Sequence, residues 1–214
     1  EQFPKIYAGQ YGSEISALLT KKPNVVHSSF WGGDMEAFIL QAGARGIFKR
    51  SKVILTTGET AIYRMSGQLP DGTIIGARGP HGALAPESAL NDWFKKAYFD
   101  RFGTNPTYPS YKMAQAILGV KAAADKAKAT AQDAVMAALK GSEFDTPSGK
   151  VSMAISGGHQ AIQDTAYGTY KFDKKTGKPT IVDIKRYKAA CVNPPEGVKS
   201  IDWIKSGFKG AKCE

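Results

Sequence analysis

The first third of this chain alternates short β-forming runs with segments of helical periodicity, joined by connections of only a few residues, and few folds accommodate that order. Residues 24–30, built around Val25-Val26, read as a strand. Met35, Phe38, Ile39 and Ala42 then recur at i, i+3, i+4 and i+7, which predicts a helix over 34–44 with one apolar face. A second strand follows from Lys52 to Thr56. Ahead of both, Ser13 can cap a short helix carrying Ile15, Leu18 and Leu19. That helix stops at Lys22-Pro23, because the residue before a proline is pushed out of the α region. The order α, β, α, β with short connections argues for parallel βαβ units in an α/β sheet.

In such a sheet, ligands bind outside the carboxyl ends of the strands. One loop there is Trp31-Gly32-Gly33-Asp34 and the next is Thr56-Thr57-Gly58-Glu59-Thr60. Consecutive parallel strands are usually neighbours, so Trp31, Asp34 and Glu59 are expected to converge on one edge. The same residue types also serve plain structure: the tryptophan as packing, the glycines as the turn, and Asp34 as a helix N-cap.

Beyond a strand at Thr73 to Ala77, the stretch Arg78-Gly79-Pro80-His81-Gly82 is too rich in glycine and proline for regular structure. Two helical stripes come next, Leu90/Trp93/Phe94/Ala97/Tyr98 and Met113/Ile117/Val120/Ala124, both expected to lie in the core. A third helix is predicted over about 131–140, ending at Lys140-Gly141. After Asp145-Thr-Pro-Ser-Gly149 the pattern turns to β, with strands at Val151–Ile155, Thr165–Phe172 and Thr180–Tyr187 as a meander added to the α/β body.

At 214 residues the chain can bury one sizeable core or two small ones, and 42% hydrophobic with 22% charged residues is globular composition. No apolar run reaches the length of about 18 residues that a membrane helix needs. The formal charge of +10 is spread along the sequence, and its densest stretches, Lys121–Lys128 and Lys171–Lys178, lack interleaved aromatics. They read as solvated basic surface, and a nucleic-acid site is the weaker alternative. The opening Glu-Gln-Phe-Pro fits a processed chain or a piece of a longer one.

Two cysteines, Cys191 and Cys213, lie near the C-terminal end with no histidine close by, so a disulfide and an oxidising compartment are favoured over a metal site; two free thiols are the alternative. No metal or other cofactor is expected. GxSxG, phosphate-loop, HExxH and GxGxxG motifs are all absent from the sequence. Ser156-Gly157-Gly158-His159 brings serine and histidine together along the chain, but triads are assembled in space, and the segment reads as a turn. His27 and His81 have no acidic partner by spacing.

Three stretches, "KKPNVVHSSFWGGDMEAFILQAGARGIFK", "GTNPTYPSYKMAQAILGVKAA" and "FDTPSGKVSM", resemble in order the type I periplasmic substrate-binding proteins of ABC transporters, the branched-chain amino acid binding protein family. The resemblance implies two Rossmann-like α/β lobes joined by a hinge, with a solute held in the cleft between them and only part of that plan present here. On that plan residues 1–77 are the end of the second lobe, 78–82 a hinge crossing, 83–142 helices returning to the first lobe, 143–190 a β-rich return to the second, and 191–214 a C-terminal tail. The chain would then be about the C-terminal half of a full member, and the missing N-terminal half would be its partner. The resemblance further implies a non-enzymatic, exported, periplasmic receptor for an amino acid or similar small polar solute, presented to a membrane permease, with no nucleic acid involved. Its ligand contacts would be Phe30, Trp31, Gly32, Asp34 and Glu59, with Glu59 placed to receive an ammonium group in a Thr-Gly-Glu-Thr context that replaces the commoner Gly-Pro-Glu. An α/β hydrolase using the same loops is the rival of another class.

Overall fold

The computed structural model describes residues 1–153 and 160–213. The chain runs α1 (Gly12–Lys21), β1 (Val25–Ser28), α2 (Gly32–Ala44), α3 (Ile47–Arg50) and β2 (Lys52–Leu55), then a 3-10 turn at Gly58–Ala61 and β3 (Ile74–Gly76). After a second 3-10 turn at Gly82–Leu84 come α4 (Ala89–Phe102), α5 (Tyr108–Ala127) and α6 (Gln132–Leu139). Five strands follow, β4 (Glu143–Thr146), β5 (Gly149–Met153), β6 (Ala161–Ile162), β7 (Thr165–Asp173) and β8 (Lys178–Tyr187), and the tail carries α7 (Ala189–Val192) and α8 (Ser200–Lys205). The chain divides into two compact units, Glu1–Arg78 with Tyr167–Lys185, and the described residues of Gly79–Ala166 with Arg186–Glu214.

The first unit is an α/β sheet of order β1-β2-β3-β7-β8. The expected parallel order is present: β1 and β2 run parallel with Val26 opposite Val53, and β2 and β3 run parallel with Ile54 opposite Ile74. The later strands do not form one meander: β4, β5 and β6 make a sheet of their own, and β7 and β8 do not belong to it. Instead β7 joins the sheet of the first unit antiparallel to β3, with Ile75 opposite Gly168. Helix α2 buries Met35, Phe38, Ile39 and Ala42, the face its periodicity predicts. Its start lies two residues before the predicted one: Trp31 occupies the N-cap position, and Asp34 sits inside the first turn rather than capping it. Helix α1 likewise begins at Gly12 without a Ser13 cap, and it ends at Lys22 in the left-handed region, with φ of 49°.

In the second unit α4 is capped by Ser88, whose hydroxyl accepts from the Asn91 amide at 3.1 Å. The expectation that the two long-helix stripes lie in the core holds only in part: Leu90, Phe94 and Tyr98 are half-buried, with Phe94 edge-on to the buried Tyr111 at 4.9 Å, but the rest of the apolar rows is largely open. Trp93 is 63% exposed, and Met113, Ile117 and Val120 are more than half exposed. Helix α5 instead buries Tyr111, Gln115, Gly119 and Ala123: Tyr111 meets Phe94 of α4, and Gly119 lies against the Phe144 ring of β4. Asn91 and Tyr111 close the interior with a 2.7 Å hydrogen bond from the phenol to the amide oxygen. Strand β4 pairs antiparallel with β5, and β5 pairs antiparallel with β6. The end of the predicted strand Val151–Ile155 lies outside the described residues. Cys191 and Cys213 are joined by a disulfide, and no free cysteine is present.

Candidate functional site

The two loops at the carboxyl ends of β1 and β2 are hydrogen-bonded to one another, which brings their side chains to one edge of the sheet. The Thr56 amide and hydroxyl both donate to the Ser28 carbonyl, at 3.1 and 2.6 Å. One residue on, the Thr57 hydroxyl donates to the Phe30 carbonyl at 2.5 Å and lies 3.7 Å from the Met35 sulfur. Thr57 has no exposed surface, so this tie is shielded from competing water.

Phe30 is half-buried between two rings, Tyr11 at 4.7 Å and Phe38 at 5.4 Å between centroids. Its side chain is therefore largely structural: it anchors the loop against α2. Trp31 follows in extended conformation and is 51% exposed. Gly32 has φ of 57°, and a side chain there would meet nothing within 4 Å, so the backbone conformation alone calls for glycine. Asp34 faces the N-terminal segment, where one carboxylate oxygen accepts from the Tyr7 amide at 2.8 Å. The buried Tyr11 phenol is pushed up to about 12, by burial first and then by Asp34. Asp34 thus serves the protein's own structure through Tyr7.

Glu59 lies in the 3-10 turn after β2 and has no exposed surface. Its charge is felt nearby: Tyr63, one turn on, is pushed up to about 12 by burial and then by the Glu59 carboxylate. At Gly58 a Cβ would stand 2.8 Å from Ile75 and 2.9 Å from Leu55, so the residue before Glu59 must be small for the turn to seat on the strands. Of the predicted contacts, Trp31 offers an open face, Glu59 a buried charge, and Phe30 and Asp34 support. Thr57 and Tyr63 were missed. Thr57 stood in the quoted loop as an ordinary turn residue, and Tyr63 is i+4 from Glu59, a spacing that could have flagged it.

Among the described residues no group of three histidine, cysteine, aspartate or glutamate side chains could hold a metal ion. Ser156 and His159 lie outside the described residues. In the second unit His81 does meet a serine: its Nδ1 is 2.5 Å from the Ser148 hydroxyl. That pair is sealed, with His81 0% and Ser148 3% exposed. Burial, and then the Lys112 charge, lower the imidazole to about 3, and Nε2 has no hydrogen-bond partner among the described residues. A base so weak and so enclosed is a core element, unsuited to activating a nucleophile.

The model of the periplasmic binding proteins matches residues 1–178. The chain belongs to that family. Its fold, that of the type I members, is seen in solved structures. An amino acid ABC transporter substrate-binding protein from Pseudomonas fluorescens Pf-5 is 19% identical with a TM-score of 0.71, over 86% of this chain and 50% of its own. A solute-binding protein from Rhodopseudomonas palustris BisB5, in complex with 3,4-dihydroxybenzoic acid, is 21% identical with a TM-score of 0.72, over 84% and 49%. A branched-chain amino acid transporter protein from Rhodopseudomonas palustris CGA009 is 21% identical with a TM-score of 0.69, over 94% and 54%. The chain therefore spans about half the length of these structures. No curated protein sequence matches it significantly.

Proposed function

We propose that this periplasmic binding protein chain supplies one wall of a solute site in the extracytoplasmic receptor of an ABC transporter, and that the solute is an amino acid or similar small polar compound bearing an ammonium group. The observation that carries the reading is the buried Glu59 carboxylate on a loop hydrogen-bonded to the one that presents Trp31. A buried negative charge attracts an ammonium group and repels a ligand carboxylate brought to the same loop. Trp31 adds a broad apolar face and a cation–π surface to the same edge. The remaining wall would come from an N-terminal half, and the apolar residues exposed on α4 and α5 are surface suited to being covered by it. A membrane permease would receive the loaded protein, with no chemical step and no cofactor required.

An aromatic carboxylate is the second reading, supported by the half-exposed Trp31 ring and by the benzoic acids bound to four structural neighbours. Calorimetry on protein carrying both halves separates the two. Amino acids should bind and benzoates should not; binding of benzoates alone refutes the ammonium assignment.

A further inference from the structure

We propose that the disulfide-closed tail is a docking surface for an anionic lipid bilayer. The tail lies beyond residue 178, where the family match ends, and the disulfide closes residues 191 to 213. It holds its own shape. Trp203 is 6% exposed, meets Phe208 edge-on at 5.1 Å, and donates from its indole N–H to the Lys209 carbonyl at 3.1 Å. The Lys212 amide donates to the Ala190 carbonyl at 2.9 Å, next to the disulfide.

With Trp203 taking the interior, the other large apolar side chains are left outside. Ile201 is 55%, Ile204 54% and Phe208 52% exposed, and the two isoleucines are i, i+3 neighbours on α8. Exposed Lys199, Lys205, Lys209 and Lys212 are interleaved with them, four lysines against three acids in the sequence, Glu196, Asp202 and Glu214. Apolar groups set among lysines at this spacing suit a surface that is greasy beneath and negative on top. A bilayer interface with anionic headgroups has both properties, and lysine stems can lie along the apolar face with their ammonium groups at phosphate level. Among the described residues no helix is long and apolar enough to cross a membrane.

The test is co-sedimentation of the 214-residue chain with phosphatidylcholine vesicles, with and without phosphatidylglycerol. Pelleting is expected with the anionic vesicles only, and raising the salt should weaken it about tenfold. Ile201→Asn combined with Ile204→Asn should lower the partition by about tenfold or more, with thermal unfolding unchanged because both side chains are already exposed. Lys205→Gln with Lys209→Gln should act similarly while removing the salt dependence. Helices α4 and α5 also expose apolar residues, so the tail variants decide the matter. Vesicle binding that survives both pairs of substitutions, equal binding to neutral vesicles, or no binding at all overturns the proposal. So does retention by an acidic protein partner in lipid-free solution without vesicle binding.

Discussion

Replacing His81 by glutamine should change how the second unit responds to acid, by an amount that follows from the burial of the imidazole. An unfolded histidine takes up its proton near 6.5, whereas in the folded chain burial, with a smaller contribution from Lys112, holds the ring neutral down to about 3. Above about pH 6.5 neither state is protonated and the histidine contributes no pH dependence. As the pH falls below that value the unfolded state binds the proton first, so stability declines with falling pH until the folded value is passed. The full gap corresponds to roughly 5 kcal/mol, and the part lost between pH 7 and pH 5 to roughly 2 kcal/mol. Glutamine can keep a hydrogen bond to Ser148 but does not titrate. It should cost about 1 to 2 kcal/mol at neutral pH through lost ring packing, and should flatten the acid limb. Urea unfolding followed by tryptophan fluorescence in half-unit steps from pH 7 to pH 4 measures this, and carboxylates cancel in the difference between the two proteins. Parallel stability curves for wild type and His81→Gln between pH 7 and pH 5 would refute the assignment of a neutral, buried histidine.

Glu59→Gln, in protein carrying both halves, should weaken an amino acid ligand by a factor on the order of a hundred, while Trp31→Ala weakens ligands of any charge; titration calorimetry with an amino acid and an uncharged analogue distinguishes the two. An unchanged amino acid affinity in Glu59→Gln would count against the ammonium site. Replacing Cys191 and Cys213 together by serine should lower stability by about 3 kcal/mol in the chain-entropy picture, seen as an earlier denaturant midpoint. The exposed apolar residues of α4 and α5, Trp93, Met113, Ile117 and Val120 among them, should make the isolated chain self-associate; a monodisperse monomer in light scattering at high concentration would contradict an unpartnered face there.

Local pattern made the first unit readable before any coordinates. The helical spacing of Met35, Phe38, Ile39 and Ala42 and the short runs beside it dictate a βαβ order, and the usual adjacency of consecutive parallel strands then puts the Trp31 and Glu59 loops on one edge. The rest depended on contacts between residues far apart in the chain, which no local period encodes. Helix α5 carries an apolar stripe at Met113, Ile117 and Val120, yet it buries the neighbouring row Tyr111, Gln115, Gly119 and Ala123, because Phe94 of α4 and Phe144 of β4 come against that row. Strand β7 pairs with β3 across some ninety residues of chain, a register set by the sheet and by neither strand alone. Within the site, the sequence supplied the loops and their residue types. Only the folded chain decided that Thr57 would tie one loop to the other, that Asp34 would turn to Tyr7, and that Glu59 would be buried while Trp31 stayed open, since a side chain's role follows from what the tertiary structure brings against it.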